Sequence, residues 1–332
     1  MITQPESNLD APPLRWGMIG CGSVAEVKSG PAYRQTPGFT LQAVASRTHA
    51  KAEAYARRHG VPDVYADASE LIHAPDIDAV YVATPPDSHE AYALEVARAG
   101  KICCIEKPLA PGYSACVQIR DAFRERGLPL FVAYYRRSLP RFERVKGWLE
   151  DGMIGRPRLV SWHFAKPASD HDRSGRANWR TDAAVAPGGY FDDLASHGLD
   201  LITYLLGDVV AVTGVSTNQQ GLYTAKDAVS GSWLHEGGVV GSGSWTFGAR
   251  ERRDHVEILG SEGEITFSVF GETPPTLVGN VSEQVFVENP DPIQLYHVRN
   301  MRRQLSGGAA HPSRGDSATH TAWVMAKILG HE

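Results

Sequence analysis

Short apolar segments alternate with helical ones through the first 135 or so residues. The apolar runs are LRWGMIGCG, FTLQAVASR, IDAVYVATPP, KICCIEKP and LPLFVAYYRR, and helical stretches such as HAKAEAYARRHG and SHEAYALEVARAG separate them. Strands that are apolar throughout are typical of a parallel sheet that is buried on both faces. The pattern therefore predicts a doubly wound parallel sheet of the Rossmann type, an α/β domain that we place at residues 1–137.

The pattern changes after Arg137. A helix around PRFERVKGWLEDG is followed by segments that alternate with period two, among them RPRLVSWHFAK, VVAVTGVSTN, KDAVSGSWLHEGG, VVGSGSWTFGA and DHVEILGSEG. Alternation with glycine-containing turns predicts a largely antiparallel sheet with one open face, in an α+β domain at residues 138–332. We expect Trp245 and Phe247 to lie exposed on that face, so that a second subunit covers it in a homodimer or homotetramer.

Composition narrows the class of protein. The chain has 332 residues, 42% hydrophobic and 21% charged, which indicates an ordinary globular protein of about two domains. Its net charge of -5 argues against a nucleic-acid partner. No run approaches the roughly 20 apolar residues of a membrane span, and the opening MITQPESNLDAPP lacks a secretory pattern. These features predict a cytoplasmic protein without a membrane partner.

The cysteines lack the spacing of a metal site. All four fall in the first 116 residues, and none forms a CxxC pair. The adjacent Cys103 and Cys104 lie in an apolar run, where we expect two buried thiols that face opposite sides of a strand. We predict neither a disulfide nor a bound metal.

A dinucleotide-binding fingerprint follows the first predicted strand. The segment GCGSVA has the form G-x-G-x-x-A and opens the first predicted helix. Glycines at the turn and at the second position let backbone N–H groups approach a pyrophosphate, and a small third residue lets the helix pack closely on the strand. The residues predicted to bind the cofactor here are Gly20, Gly22, Ser23, Val24 and Ala25.

The end of the second strand indicates which dinucleotide binds. NAD-binding domains usually carry an acidic residue here for the ribose 2′-hydroxyl, but this chain has Ser46 and Arg47. A hydroxyl and a planar guanidinium suit a 2′-phosphate, so NADP is favoured over NAD. Alternatively, Arg47 is a surface arginine near the sheet edge.

Two further strand ends carry candidate residues. Thr84 and Pro85 follow the IDAVYV strand and should border the cofactor, since ligands of such sheets bind at the carboxyl ends of the strands. His89 opens the next helix and either reaches the cofactor or is a capping or solvated histidine. Glu106 and Lys107 end the following strand, where the lysine ammonium could polarise a substrate oxygen.

The helix predicted from Tyr190 has a narrow polar stripe. Asp193, His197, Asp200 and Tyr204 share it, opposite an apolar stripe. Asp193 and His197 lie one turn apart, so they suit an acid/base pair, but the stripe equally suits the solvated face of an amphipathic helix. A metal pair is disfavoured because the spacing supplies no third ligand.

Taken together, GCGSVA, ATPP, EKP and APGGYFDDLASHGLDL resemble the glucose–fructose oxidoreductase / inositol dehydrogenase / rhizopine catabolism (Gfo/Idh/MocA) family from about Leu14 onward. The resemblance implies that Lys107, Asp193 and His197 are catalytic and that the open sheet is the oligomer surface. It further implies that Trp179 and Arg180 lie near the cofactor, with Glu106. The substrate-facing positions that it implies are Tyr135, Arg136 and Arg137.

The resemblance implies an oxidoreductase that interconverts a secondary alcohol and a carbonyl on a sugar, polyol or related small molecule, by hydride exchange with NADP(H). A trans-dihydrodiol or an imine is a weaker alternative substrate, suggested by aromatic residues such as Trp162 and Tyr134. The rival interpretation is a non-catalytic sensor that binds a dinucleotide on the same fold. The presence of Lys107, Asp193 and His197 together argues against the sensor.

Overall fold

The computed structural model describes residues 12–176 and 178–331; the opening segment discussed above, residues 1–11, lies outside them. The described residues form two compact units. The first unit contains residues 12–109, 117–135 and 290–315, and the second contains the remainder. The chain passes between the units next to the predicted boundary, but residues 290–315, which we placed in the second domain, pack in the first.

A six-stranded parallel sheet forms the centre of the first unit. Its strand order is β3-β2-β1-β4-β5-β6. All neighbouring strands pair in parallel. The strands are β1 (Leu14–Ile19), β2 (Phe39–Ala45), β3 (Asp63–Tyr65), β4 (Ala79–Val82), β5 (Ile102–Ile105) and β6 (Leu130–Val132). Every residue of β4 is buried, as are Cys103 and Cys104 on β5. The predicted doubly wound sheet is therefore confirmed.

Helices cover both faces of this sheet, as its burial requires. They are α1 (Gly30–Arg34), which continues from a π-helical turn (Ala25–Ser29), α2 (His49–His59), α3 (Ala68–His73), α4 (His89–Arg98), α5 (Tyr113–Glu125) and α9 (Leu295–Leu305). Asp67 caps α3 by accepting the Glu70 N–H at 2.8 Å. Helix α9 packs against α1, and its Val298 and Met301 complete the core beside Trp16.

The second unit is built on an eight-stranded sheet with the order β14-β13-β12-β11-β7-β10-β9-β8. Only the β7–β10 pair is parallel. The strands are β7 (Pro157–Ala165), β8 (Val209–Thr217), β9 (Ala228–His235), β10 (Val240–Thr246), β11 (Arg253–Gly260), β12 (Glu264–Phe267), β13 (Thr276–Val278) and β14 (Glu283–Gln284). The predicted, mostly antiparallel sheet is confirmed.

The α-helices among the described residues of this unit are α6 (Pro140–Glu150), α7 (Asp170–Arg173), α8 (Ser196–Leu206) and α10 (Gly315–Leu329), the last beginning at the edge of the unit. Gly198 brings α8 close to the sheet, because a Cβ there would lie 2.3 Å from the Trp162 ring. None of the helices described is long and apolar enough to cross a membrane.

The open face of this sheet carries different residues from those expected. Trp245 and Phe247 are buried, so their predicted exposure is wrong. The Trp245 ring packs against Trp162 and Phe191, with centroid separations of 5.4 and 5.0 Å. Successive side chains of a strand point to opposite faces of the sheet. The serines and threonines that alternate with the buried tryptophans therefore face outward instead. The exposed apolar residues on the open face include Val215 (73% exposed), Val240 (50%) and Leu234 (38%).

Candidate active site

The turn after β1 has the geometry of a phosphate-binding loop. Gly20 adopts φ +105°, and a Cβ there would lie 2.7 Å from the Ala83 carbonyl oxygen, so only glycine fits. No atom lies within 4 Å of a Cβ built on Gly22, and Ser23 is exposed. Ala25 is buried at the base of the loop. The loop thus leaves open space next to a helix start, as a pyrophosphate requires.

Ser46 and Arg47 directly follow β2, beside this loop. Ser46 is half-buried and Arg47 is exposed. Within the described part of the chain, no carboxylate pairs with Arg47. The Gly20 N–H donates to the Ala45 carbonyl oxygen at 2.8 Å, which holds the ends of β1 and β2 together. Arg47 is therefore available to a ligand at the end of β2.

His89 is buried between the segments that follow β4 and β5, so the solvated interpretation is wrong. Its ring is completely buried. Nε2 lies 2.9 Å from the Thr84 carbonyl oxygen, and Nδ1 lies 3.0 Å from the Pro108 carbonyl oxygen. Burial lowers the pKa of the ring. Contact with the cofactor stays a prediction for His89, whereas Thr84 and the exposed Pro85 lie at the end of β4 as expected.

Glu106 is anchored by groups that sequence reasoning missed. The Tyr81 hydroxyl donates to its Oε1 at 2.6 Å, and the Gln294 amide donates to the same oxygen at 2.9 Å. Burial, reinforced by the nearby carboxylate, raises the pKa of Tyr81, so the phenol keeps its proton. This network fixes the backbone at the end of β5, where the half-buried Lys107 follows. Direct cofactor contact by Glu106 stays a prediction.

The polar stripe from Asp193 to Asp200 is buried in the second unit. Asp193, His197 and Asp200 are 8%, 5% and 0% exposed, so the solvated-face interpretation is wrong. A π-helical turn (Phe191–Ala195) carries Asp193 and leads directly into α8, which carries His197. Their acid/base role stays a prediction.

Arg180 neutralises Asp193. Its Nε donates to Asp193 Oδ2 at 2.6 Å, and its guanidinium carbon lies 4.4 Å from the centroid of the Trp179 ring. The two residues predicted near the cofactor are thus half-buried beside Asp193. The adjacent Asp192 differs: burial, with the nearby Asp193, raises its pKa to about 7, although the Gly188 N–H donates to it.

Phe270 lies against His197 and was not found from the sequence. The two rings meet edge to face with a centroid distance of 5.8 Å. Asp254 holds this segment by accepting the Phe270 N–H at 2.6 Å and the Trp162 indole N–H at 3.1 Å. The Arg136 guanidinium carbon lies 4.3 Å from the centroid of the Phe270 ring. The buried Arg136 also donates from Nε to the Val269 carbonyl oxygen at 2.9 Å, and substrate binding by Arg136 stays a prediction.

Arg137 forms a buried ion pair. Its Nε and Nη2 donate to the two Asp200 carboxylate oxygens at 2.7 and 2.8 Å, and Nη2 also donates to the Asp200 carbonyl oxygen at 3.1 Å. Burial raises the pKa of Asp200, whereas the charge and hydrogen bonds of Arg137 and the hydrogen bond from Thr321 lower it. The structure thus gives Arg137 a packing role, and substrate binding by Arg137 and by the buried Tyr135 stays a prediction.

Family models match both units. The model described as "Oxidoreductase family, NAD-binding Rossmann fold" matches residues 14–134, and that of the GFO/IDH/MocA C-terminal domain matches residues 142–266.

Among the described residues, no group of three or more His, Cys, Asp or Glu side chains is arranged to hold a metal ion.

Several oxidoreductases are similar to this chain over most of its length. Oxidoreductase P35 of Formosa agariphila is 36% identical over 318 residues, 96% of this chain and 98% of that protein. Levoglucosan dehydrogenase of Pseudarthrobacter phenanthrenivorans is 30% identical over 288 residues, covering 77% and 73%. A solved levoglucosan dehydrogenase in complex with NADH and levoglucosan superimposes with a TM-score of 0.84 at 25% identity, covering 95% and 96%.

Proposed function

Because the chain belongs to the Gfo/Idh/MocA family of sugar and polyol oxidoreductases, we propose that it interconverts a secondary alcohol and a carbonyl, or a hemiacetal and a lactone, with NADP(H). The observation that carries the proposal is the buried Asp193–His197 pair beside the Arg180 guanidinium. An imidazole and a carboxylate are groups that can exchange a proton with a substrate hydroxyl and orient it. Named relatives include an inositol 2-dehydrogenase and a 1,5-anhydro-D-fructose reductase.

The first unit supplies a fitting cofactor site. Gly20 and Gly22 leave the room that a pyrophosphate needs, and Ser23 offers a backbone N–H at a helix start. The exposed Arg47 would pair with a 2′-phosphate, which supports NADP over NAD. When bound, the nicotinamide exchanges a hydride with the substrate carbon.

The remaining chemistry belongs to side chains. In the oxidation direction, the His197 imidazole accepts the hydroxyl proton while the C–H electron pair leaves with the hydride, so a C=O double bond forms. The Lys107 ammonium stabilises the negative charge that develops on this oxygen. Asp193, held by Arg180, orients the imidazole or a substrate hydroxyl. Reduction runs through the same steps in reverse.

We also propose that the protein is a homodimer or homotetramer. The open face of the second unit's sheet supports this, since Val215, Val240 and Leu234 are exposed on it among serines and threonines. Such a flat apolar surface is typical of an interface between subunits.

Cofactor titration and two variants test the catalytic proposal. NADP(H) should quench tryptophan fluorescence with a dissociation constant at least about tenfold lower than that of NAD(H), and Arg47→Ala should abolish the difference. His197→Ala and Lys107→Ala should lower turnover on a polyol by roughly 10²–10⁴ while NADP(H) affinity and Tm stay near the parent values. Near-parental turnover in His197→Ala would refute the assignment, and equal affinities for the two cofactors would refute the NADP preference.

A further inference from the structure

Two cations beside the His197 side of the second unit have no carboxylate partner in the described part of the chain. Lys166 follows β7 and is half-buried, and Arg252 precedes β11 and is exposed. The Lys166 backbone is fixed on both sides, since its N–H donates to Thr246 and its carbonyl accepts from Ala249. The lysine is therefore held in place by the sheet, although no ion pair fixes its ammonium.

The neighbouring carboxylates already accept hydrogen bonds from other residues. Asp193 accepts from Arg180 at 2.6 Å. Asp172 accepts the Tyr190 hydroxyl at 2.6 Å and the Ser169 hydroxyl at 2.7 Å. Lys166 is left with the Tyr190 ring, whose centroid lies 3.8 Å from Nζ. Burial lowers the pKa of Lys166; Asp172 and Asp193 oppose that shift, and Arg252 and Arg180 reinforce it. The local groups are thus three cations and two carboxylates, so the carboxylates do not balance the positive charge.

A series of ring contacts connects Arg252, through the buried Phe164, to the partly exposed Phe270 and His197. The Arg252 guanidinium carbon lies 5.7 Å from the centroid of the Phe164 ring, and Phe164 packs on Phe270 with a centroid distance of 5.5 Å. Phe270 in turn meets the His197 ring. A sugar ring packs well on aromatic side chains, and a substrate that lies against Phe270 would extend toward Arg252 and Lys166.

From this arrangement we infer that the substrate is an anionic sugar, whose carboxylate or phosphate group is bound by Lys166 and Arg252 while its reacting hydroxyl faces His197. The inference rests on the proposed function and names its substrate class. A half-buried ammonium without a counter-ion is costly to keep, and an anionic ligand group offsets that cost through charge-assisted hydrogen bonds. A neutral polyol would leave both cations without an anion.

The test compares matched sugars on the NADP⁺ holoenzyme. Glucose, glucuronate and glucose 6-phosphate, and the corresponding galactose series, differ only at C6. We expect kcat/KM and affinity for an anionic member to exceed those for the neutral hexose by about tenfold or more. The carboxylate and phosphate members show which anion the site prefers. The preference should weaken as ionic strength rises.

Variants separate a binding role from a packing role. Lys166→Met keeps the aliphatic stem over Tyr190, and Arg252→Gln keeps an amide. Each should lower affinity for the anionic sugar by roughly 10- to 100-fold and change that for the hexose less than threefold. Arg158→Gln is the matched charge control. Arg158 lies near the start of β7, whereas Lys166 directly follows its end, so at 3.3 Å per residue the two residues are about 26 Å apart. This control should leave both affinities unchanged.

The outcomes distinguish this inference from the proposed reaction. Turnover of hexose and uronate at equal kcat/KM, with Lys166→Met leaving the ratio unchanged, overturns the anion site while the oxidoreductase function stands. Lys166-dependent binding of an anionic sugar without any turnover supports the site and contradicts the reaction. A fall in Tm of Lys166→Met with no change in sugar preference shows a packing role only and overturns the inference.

Discussion

Replacing Arg137 decides between packing and substrate binding. Its guanidinium makes two hydrogen bonds to the Asp200 carboxylate and one to the Asp200 carbonyl, and the two side chains are only 6% and 0% exposed. Arg137→Met leaves the carboxylate buried without a counter-ion, and Asp200→Leu does the same to the guanidinium. Removing one member of a buried pair costs about 3–5 kcal/mol of folding free energy.

The double variant should be milder than either single one. Arg137→Met combined with Asp200→Leu replaces two buried charges with apolar groups, which is often close to neutral. The unfolding entropy is about 2.1 cal/mol/K per residue, so for 332 residues 1 kcal/mol corresponds to about 1.4 °C. Each single variant should therefore lower Tm by about 4–7 °C, and the double variant by about 2 °C or less. Burial raises the pKa of Asp200 despite the arginine, which agrees with a pair whose net contribution is small.

Thermal unfolding followed by tryptophan fluorescence measures these shifts, and steady-state kinetics on the same variants measures KM. A packing role predicts that Arg137→Met and Asp200→Leu lose comparable stability. If Arg137→Met kept its Tm within about 2 °C while KM for substrate rose tenfold, the guanidinium would be a substrate ligand and the reasoning from its ion pair would be refuted.

Two further predictions concern the second unit. Light scattering should show a homo-oligomer, and Val215→Lys with Val240→Lys should shift it toward monomer; a parent that is monomeric at micromolar concentration would contradict the subunit interface. Burial raises the pKa of Asp192 from its ordinary 3.8 to about 7, so between these values the folded state retains a proton that the unfolded chain loses, and stability falls from about pH 4 to about pH 7. Asp192→Asn should therefore stabilise the protein at pH 8 by roughly 1–2 kcal/mol, allowing for partial exposure, and have little effect at pH 4; equal Tm shifts at both pH values would count against this.

Local patterns predicted the first unit well. The continuous apolar runs became buried parallel strands, and glycines such as Gly60 and Gly127 end helices in the left-handed conformation. These features depend on neighbouring residues, so a single sequence displays them. The phosphate loop was visible for the same reason, since its glycines, strand and helix are contiguous.

Contacts distant in sequence were not predictable. Gln294 reaches Glu106 across 188 residues, and no local signal marks it. Phe270, in the segment between β12 and β13, meets the His197 ring, and Asp254 on β11 holds that segment, but nothing in the local sequence indicated either contact. The buried position of Trp245 was predictable, because serines alternate with it along β10 and this pattern indicates that the tryptophan faces the core.

The return of residues 290–315 to the first unit has a consequence for biosynthesis. The nucleotide-binding sheet is synthesised by residue 135, but α9 and the Gln294 anchor are translated roughly 150 residues later. At about 5–20 residues per second, the ribosome needs on the order of 10–30 s to supply them. During that interval the nascent sheet exposes the apolar surface that Val298 and Met301 will cover. The nucleotide-binding half is thus the first to begin folding, but it cannot finish until nearly the whole chain has been synthesised.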